Sequence, residues 1–333
     1  MIISRTPFRI SFFGGGTDYP RWFRQHGGAV LSTTINKYCY LTVRHLPPFF
    51  EHKYRIVYSQ VELTRKIEEI KHPAIRGILG ESGLTQGLEI HHDADLPARS
   101  GLGSSSAFVV GFIHALQALR GRMIAKPDLA QAAVRMEQEV LRENVGCQDQ
   151  MSATWGGLNR FDFRPDGTID VSPVILPRSR LEELERSILL CFTGRTRIAS
   201  DIALRTIENL DRRADALHRV QAMVGDALAI LQDPREPMRR LGELMDESWR
   251  LKRGLAEAIS TPEIDAIYQA AREAGASGGK LMGAGGGGFM VFIVDPEHRA
   301  RLRERLRHLV QVDVSFEQSG SRIVLYDPEN GEG

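Results

Sequence analysis

This sequence of 333 residues has few cysteines, almost no net charge and no long apolar run. Its three cysteines, Cys39, Cys147 and Cys191, are odd in number and far apart. They therefore match neither a disulfide framework nor the spacing of a zinc site, which favours a reducing, cytoplasmic location. A net charge of +1 gives no global field that would attract nucleic acid or a membrane surface. We expect neither partner, and the pattern leaves the oligomeric state open.

The sequence also lacks targeting and membrane segments. No apolar stretch approaches the roughly 20 residues that cross a bilayer, and Arg5 and Arg9 interrupt the apolar N-terminus, so we expect no secretory signal. Hydrophobic residues make up 42% and charged residues 26% of the chain, as in ordinary globular proteins. The length favours two domains. We predict them at 1–180 and 181–333, because residues 173–185 combine prolines with a charge cluster.

Several familiar catalytic motifs are missing. There is no G-x-x-x-x-G-K-[ST] loop, no protein-kinase H-R-D or D-F-G, and no G-x-S-x-G elbow. Residues 283–288 satisfy G-x-G-x-x-G, but a predicted strand follows them where a dinucleotide fold needs a helix. His91 and His92 are adjacent in a predicted strand and so face opposite ways. We therefore exclude the Rossmann interpretation and a histidine metal pair.

The most informative stretch is residues 97–107, Pro-Ala-Arg-Ser-Gly-Leu-Gly-Ser-Ser-Ser-Ala. It joins a predicted strand at 88–92 to a predicted helix at 108–116. Glycines let the backbone approach a ligand, and a helix start offers free N–H groups and a positive dipole end. A plain helix cap is the alternative, but it needs only one serine and one glycine. The excess favours phosphate binding.

Two further stretches carry acidic residues in unusual settings. Asp18 follows three glycines and could accept hydrogen bonds from sugar hydroxyls, or form an Asx-turn at a tight bend. Asp149 stands between two glutamines ahead of a Gly-Gly turn, where a catalytic role and an ordinary surface aspartate are both open. A helix predicted at 129–142 carries Glu137 and Glu139 on its polar face. The second half opens with an apolar strand, followed by long amphipathic helices that include one at 201–231.

Three separated motifs, at 5–18, 97–107 and 280–288, together resemble the GHMP kinase superfamily in order and spacing. The resemblance covers nearly the whole chain, and the middle motif is the specific part. Within the superfamily, the segments 14–18, 144–150 and 278–288 look most like those of bacterial D-glycero-D-manno-heptose 7-phosphate kinases. The resemblance implies an α+β fold of two halves, the second ferredoxin-like, with the active site in the cleft between them.

The resemblance also implies ATP and Mg²⁺ as cofactors. It assigns the nucleotide to two of the motifs, through Pro97, Arg99, Gly101, Leu102, Gly103, Ser104, Ser105, Ser106, Gly283, Gly285 and Gly286. It assigns the metal to Ser105 and Glu139, with Ser106 and Glu137 as alternatives, because the triple serine blurs the register and the two glutamates are only two residues apart.

Catalysis is assigned by the same resemblance to Asp149, as the base beside the acceptor hydroxyl, and to Arg9, which steadies Asp149 and the transferring phosphoryl group. The substrate is assigned to Gly15, Gly16, Thr17, Asp18 and Lys252. Four basic residues are open as ligands of a substrate phosphate: Lys37, Arg195, Arg197 and Lys252.

The expected reaction is ATP-dependent phosphorylation of the anomeric C1 hydroxyl of D-glycero-D-manno-heptose 7-phosphate to the 1,7-bisphosphate, on the way to a GDP-heptose for surface polysaccharide. One alternative is a kinase for an unphosphorylated sugar such as fucose, arabinose or galactose. Another is a non-catalytic nucleotide- or sugar-binding regulator. The presence of Arg9, Ser105, Glu139 and Asp149 argues against the regulator.

Overall fold

The computed structural model describes residues 1–195, 199–256 and 258–328. The chain forms two β-sheets, one of nine strands and one of four, each covered by helices. Within the described residues, no helix combines the length and the apolar character needed to cross a membrane.

The first sheet is built mainly from the N-terminal half. Its first seven strands are β1 (Ile2–Phe13), β2 (Gly28–His45), β3 (Tyr54–Val57), β4 (Val61–Thr64), β5 (Leu88–Ala94), β6 (Leu158–Phe163) and β7 (Ile169–Pro173). Strand β2 is 18 residues long and organises the sheet, because its first half pairs with β6 and its second half with β5. All pairings are antiparallel except that of β3 with β5.

The second sheet is antiparallel and follows the order β11-β8-β10-β9. Its strands are β8 (Ile188–Phe192), β9 (Ala276–Leu281), β10 (Phe289–Val294) and β11 (Val310–Val312). The chain then returns to the first sheet through β12 (Phe316–Glu317), which pairs with β2, and β13 (Arg322–Tyr326), which pairs with β1. The boundary predicted at residue 180 did not include this return, so the last strands belong structurally with the first half.

Eleven helices lie within the described ranges. They are α1 (Pro20–His26), α2 (Pro73–Ser82), α3 (Ser104–Leu119), α4 (Lys126–Arg135), α5 (Gln148–Trp155), α6 (Arg178–Ser187), α7 (Ala199–Asn209), α8 (Ala214–Gln232), α9 (Met238–Arg253), α10 (Pro262–Glu273) and α11 (Pro296–Arg305).

Two helices expected to be continuous are interrupted. The one predicted at 201–231 is split into α7 and α8 by a short 3₁₀ turn at Asp211–Arg213. The one predicted at 129–142 ends as α4 and passes into a π-helical turn at Met136–Val140. The spacing of apolar residues does not reveal either interruption, because apolar residues that face the core occur both before and after it.

Helices α3 and α9 bring the backbone unusually close to the two sheets. On α3, the carbonyl of Gly111 accepts a hydrogen bond from Ser4 Oγ at 2.8 Å, so the helix lies directly on β1. On the second sheet, a Cβ atom placed on Gly278 of β9 would overlap the carbonyl oxygen of Gly242 on α9. Glycine at these contacts fixes how closely each helix approaches its sheet.

The two halves meet at a seam between the loop before α3 and the turn 282–288 that joins β9 to β10. The N–H of Phe289 donates to the carbonyl of Ser100 at 3.0 Å, and the amine of Lys280 donates to the carbonyl of Phe12 at 2.8 Å. The expected phosphate loop therefore lies at the junction of the halves.

Replacement of Gly278 by alanine tests the close contact between α9 and β9. We expect Gly278→Ala to lower the free energy of unfolding by about 2 kcal/mol or more, because the added methyl group cannot be accommodated without moving α9. Gly225→Ala on α8 is the matched control, since its added Cβ meets nothing within 4 Å and should stabilise the helix by up to about 1 kcal/mol. Equal effects of the two changes in urea unfolding would contradict the close-packing account.

Candidate active site

The loop between β5 and α3 has the backbone of an anion cradle. Gly101 and Gly103 adopt φ values of 81° and 76°, and Arg99 also lies in the left-handed region at 58°. The N–H of Arg99 donates to Ser104 Oγ at 3.1 Å, so this hydroxyl stabilises the loop itself. The loop is attached to β1 because the N–H of Arg9 donates to the carbonyl of Leu102 at 3.1 Å.

The first turn of α3 supplies the positive end of a helix of 16 residues. Its first i→i−4 bond runs from the N–H of Ala107 to the carbonyl of Gly103 at 2.9 Å. The N–H groups of the three preceding serines consequently lack helical acceptors, as at any helix start. Free donors and the helix dipole at one point suit a phosphate group.

A bidentate ion pair lies directly beside this loop. Arg9 donates from Nε and from a terminal nitrogen to the two oxygens of Asp149, at 2.7 and 2.8 Å, and its other nitrogen donates to the carbonyl of Gly101 at 2.7 Å. The Arg9 side chain is 4% exposed, whereas that of Asp149 is 26% exposed. A Cβ on Gly103 would lie 3.4 Å from the Asp149 carboxylate. The structure thus brings Arg9, Asp149 and the loop together.

Asp149 lies in the first turn of α5, where the helix dipole favours a negative charge. The sequence order alone could not show that this turn faces the loop, because 45 residues separate Asp149 from Ser104. Its neighbour Gln150 extends the site, since its side-chain nitrogen donates to Oε2 of Glu137.

A second polar contact joins Ser106 to Glu137. Ser106 Oγ donates to Oε2 of the carboxylate at 2.7 Å, and both residues are buried. Glu137 lies in the π-helical turn, a feature often found at functional sites because the extra residue re-aims side chains. Burial raises the pKa of Glu137 to about 8.

The two residues first expected at the metal, Ser105 and Glu139, are not brought together in this way. Ser105 is exposed. The Glu139 side chain is 72% exposed and lies 3.7 Å from Arg135, one helical turn earlier. Of the two glutamates, Glu137 therefore faces the loop and Glu139 faces solvent. The geometry favours the alternative pair, Ser106 and Glu137.

The glycine motif after β1 forms a rigid support for the segment that carries Asp149. Asp18 is buried, and its two oxygens accept the N–H groups of Gly16 at 3.0 Å and Gln148 at 3.2 Å. Burial raises the pKa of Asp18. Thr17 is equally buried and donates to the carbonyl of Gly14. Both side chains hold the backbone, while Gly15 faces the Gln148 amide, 3.5 Å from its Cβ position.

The turn 282–288 is pressed against the loop. A Cβ on Gly283 would approach Cα of Gly101 to 2.6 Å, and one on Gly285 would approach Cα of Ile259 to 2.7 Å. Gly286 donates its N–H to the carbonyl of Ile259. Lys252 at the end of α9 holds this turn, because its amine donates to the carbonyls of Leu281 and Gly283.

The other basic residues are dispersed. Arg195 has a side chain 67% exposed and lies 3.6 Å from Glu263, and Arg197 lies outside the described residues. Lys37 borders a cavity of about 480 Å³ at the start of the loop, together with Leu96, Pro97, Phe192 and Phe289.

Some of the buried polar atoms that lack a hydrogen-bond partner among the described residues belong to the site or to segments next to it. They include Ser11 Oγ, Ser100 Oγ, Glu137 Oε1, Gln148 Oε1 and Gln150 Oε1. Buried polar atoms are normally satisfied, so such a group indicates a place for water or ligand. Sequence reasoning missed the glutamines and Lys280, since neither residue type signals a site without its neighbours in space.

Comparison with known proteins identifies the family. The chain matches the GHMP kinases N terminal domain over residues 66–157 and the GHMP kinases C terminal region over residues 229–311. It is 31% identical to the D-glycero-alpha-D-manno-heptose 7-phosphate kinase of Campylobacter jejuni, across 96% of this chain and 97% of that protein. The chain is a GHMP kinase.

Other relatives agree with this assignment. A crystal structure described as a D-glycero-D-manno-heptose 1-phosphate kinase from Bacteroides thetaiotaomicron superposes with a TM-score of 0.79 at 23% identity, covering 98% of this chain and all of that one. The bifunctional fucokinase/GDP-fucose pyrophosphorylase of Arabidopsis thaliana is 25% identical over 92% of this chain and 31% of that protein. This GHMP kinase is an ATP-dependent sugar kinase with the expected two-part α+β fold.

The residues present fit a magnesium ion that is completed by substrate. Among the described residues, no cluster of three or more His, Cys, Asp or Glu side chains could hold a metal alone. Mg²⁺ usually takes only one or two protein oxygens and fills its remaining positions with phosphates and water. Within the described part of the chain, Oε1 of Glu137 has no hydrogen-bond partner, and Oε2 accepts from the Ser106 hydroxyl. A bound cation would stabilise the charged form of this buried carboxylate.

Two neighbouring glutamates allow a matched test of the metal site. We expect Glu137→Gln to lower activity by about 100-fold or more at limiting Mg²⁺, because a buried ligand is lost, and Glu139→Gln to change it by less than about twofold. Initial rates against Mg²⁺ concentration measure both. The opposite ranking would restore Glu139 as the metal ligand.

Proposed function

We propose that this GHMP kinase transfers the γ-phosphoryl group of ATP to the anomeric C1 hydroxyl of D-glycero-D-manno-heptose 7-phosphate. The similarity to the Campylobacter jejuni enzyme over almost its whole length supports the substrate class. The observation that carries the chemistry is the Arg9–Asp149 pair, which lies against Gly103 at the start of α3.

Asp149 is suited to the role of general base. Its side chain is 26% exposed beside the buried Arg9, so a hydroxyl can reach the carboxylate. Arg9 binds both carboxylate oxygens, which fixes their orientation. As the sugar oxygen bonds to phosphorus, its proton passes to Asp149 and the bond to the ADP oxygen breaks.

The loop and Arg9 would stabilise the charge on the transferring group. Free N–H groups at the start of α3 lie beside the Arg9 guanidinium, which is held in place by Gly101. Donors fixed before the reaction need no reorganisation, and this is the main protein contribution in phosphoryl transfer. In this proposal Ser106 and Glu137 would hold Mg²⁺, which would supply positive charge to offset part of the phosphate charge.

The cavity beside Pro97 is the proposed place for the nucleoside. Its lining combines apolar side chains, Phe192, Phe289 and Val312 among them, with Lys37 and Asp95, a mixture typical of small-molecule pockets. The cavity lies at the start of the loop, beside Pro97, whereas Asp149 lies beside Gly103 at the end of the loop. A nucleotide lying along the loop would therefore direct its phosphates toward α3.

The substitution Asp149→Asn tests the base. We expect kcat to fall by about 10³-fold, because the amide accepts no proton, while the affinity for ADP changes little. Asp162→Asn is the control, since Asp162 forms a similar pair with Arg160 on the first sheet, and it should retain activity. A turnover of Asp149→Asn within about threefold of the unmodified enzyme would remove Asp149 from the mechanism.

A panel of acceptors tests the substrate. Heptose 7-phosphate, heptose 1-phosphate, fucose, arabinose and galactose are compared by coupled detection of ADP, and the product is located by phosphorus NMR. We expect the highest kcat/KM with heptose 7-phosphate and a new phosphate at C1. Preference for an unphosphorylated sugar would instead support a fucokinase-like activity, which the similarity to the plant enzyme makes the main alternative.

A further inference from the structure

Three cationic side chains meet at the seam beneath the Arg9–Asp149 pair. Lys252 donates to the carbonyls of Leu281 and Gly283, and Lys280 donates to the carbonyl of Phe12. Lys280 and Arg9 are 5% and 4% exposed. Arg9 donates to the carbonyl of Gly101, against which Gly283 packs, so Arg9 and Lys252 bind neighbouring backbone segments. Arg9 also lowers the pKa of both amines, in addition to the larger effect of burial.

This cluster carries more positive than negative charge. Asp149 is already bound by Arg9, and no salt bridge from another described residue reaches either lysine. Burial, with a smaller effect of Arg9, lowers the pKa of Lys252 to about 7. Burial, with the charges of Lys252 and Arg9, holds the pKa of Lys280 well below its usual value. Arg9 and Lys280 are buried and Lys252 is partly exposed, and an excess of cations in such surroundings is costly unless an anion joins them.

Other charged groups on the surrounding elements are engaged elsewhere. Strand β10 has no titratable side chain, and Asp18 binds backbone N–H groups. Other pairs on these elements include Asp246 with Arg250 and Tyr268, Glu247 and Asp226 with Arg219, Asp265 with Arg253, Arg180 with Glu183, and Arg239 and Arg240 with Glu243. Arg9 is the described charge that lowers the pKa of Lys252.

We propose that Lys252 and Lys280 are positioning residues of the phosphoryl-transfer centre, and that Lys252 gains a proton when nucleotide phosphates enter the site. This inference rests on the proposed kinase function. Through Gly283, which touches Gly101, Lys252 holds the turn 282–288 against the phosphate loop. Through Phe12, Lys280 holds β1, which carries Arg9. An incoming phosphate supplies the anion that the cluster lacks.

Proton uptake by Lys252 makes the affinity for nucleotide depend on pH. Above pH 7 a growing fraction of Lys252 is neutral in the free enzyme, and a nearby phosphate restores the charged form. Binding then takes up a proton, and affinity falls as pH rises above about 7, by up to about tenfold per pH unit. Below pH 7 the amine is already protonated and the dependence disappears.

Calorimetry of ADP binding measures this proton directly. Titrations at about pH 8 in three buffers of different ionisation enthalpy give the protons taken up per nucleotide. EDTA is included so that no metal displaces a proton from Glu137. Lys252→Arg keeps a donor to the same carbonyls but cannot lose its charge, and Lys252→Met removes both. Lys126→Arg is the matched control, since Lys126 also donates to a backbone carbonyl, that of Trp155, remote from the site.

We expect the unmodified enzyme and Lys126→Arg to take up close to one proton, and Lys252→Arg to take up at least about half a proton less. Activity should fall by about tenfold or more in Lys252→Met and recover largely in Lys252→Arg. Equal proton uptake in the unmodified enzyme and Lys252→Arg would overturn the inference. Absence of ADP binding by the unmodified enzyme both in EDTA and with Mg²⁺ would instead contradict the proposed kinase function. Circular dichroism confirms that each variant is folded.

Discussion

The bidentate contact between Arg9 and Asp149 is the interaction on which the site depends. Arg9 belongs to β1 and Asp149 to the first turn of α5, while the third nitrogen of Arg9 binds the carbonyl of Gly101 in the phosphate loop. One buried guanidinium therefore fixes three segments that are far apart in the sequence. Because it is nearly inaccessible to water, its interactions are weakly screened, and loss of either partner would leave a buried charge without compensation.

Backbone contacts at glycine hold the two halves close together beside the phosphate loop. Gly101 and Gly283 face each other across the seam, and neither position has room for a side chain. The halves are joined further by the hydrogen bond from Phe289 to Ser100 and by the return of β12 and β13 to the first sheet. A cleft assembled in this way is rigid at its base, which suits a reaction that depends mainly on alignment.

The sequence predicted the parts of the site that depend on local chemistry. A loop rich in glycine and serine before a helix predicts an anion site, because the start of the helix itself creates that site. The choice between Ser105 and Ser106, and between Glu137 and Glu139, could not be made from the sequence, because it depends on a contact between two segments 31 residues apart, that of Ser106 with Glu137. The lysine cluster could not be predicted either, since it forms only when α9 and β9 pack against β1.

The most direct measurement of the central claim is a crystal structure of the enzyme with a non-hydrolysable ATP analogue, Mg²⁺ and heptose 7-phosphate. The account predicts the C1 hydroxyl within about 3.2 Å of an Asp149 oxygen, in line with a γ-phosphate at the start of α3, and the metal on Ser106 and Glu137. A complex that places a different hydroxyl at Asp149, or binds the phosphates away from the start of α3, would contradict it.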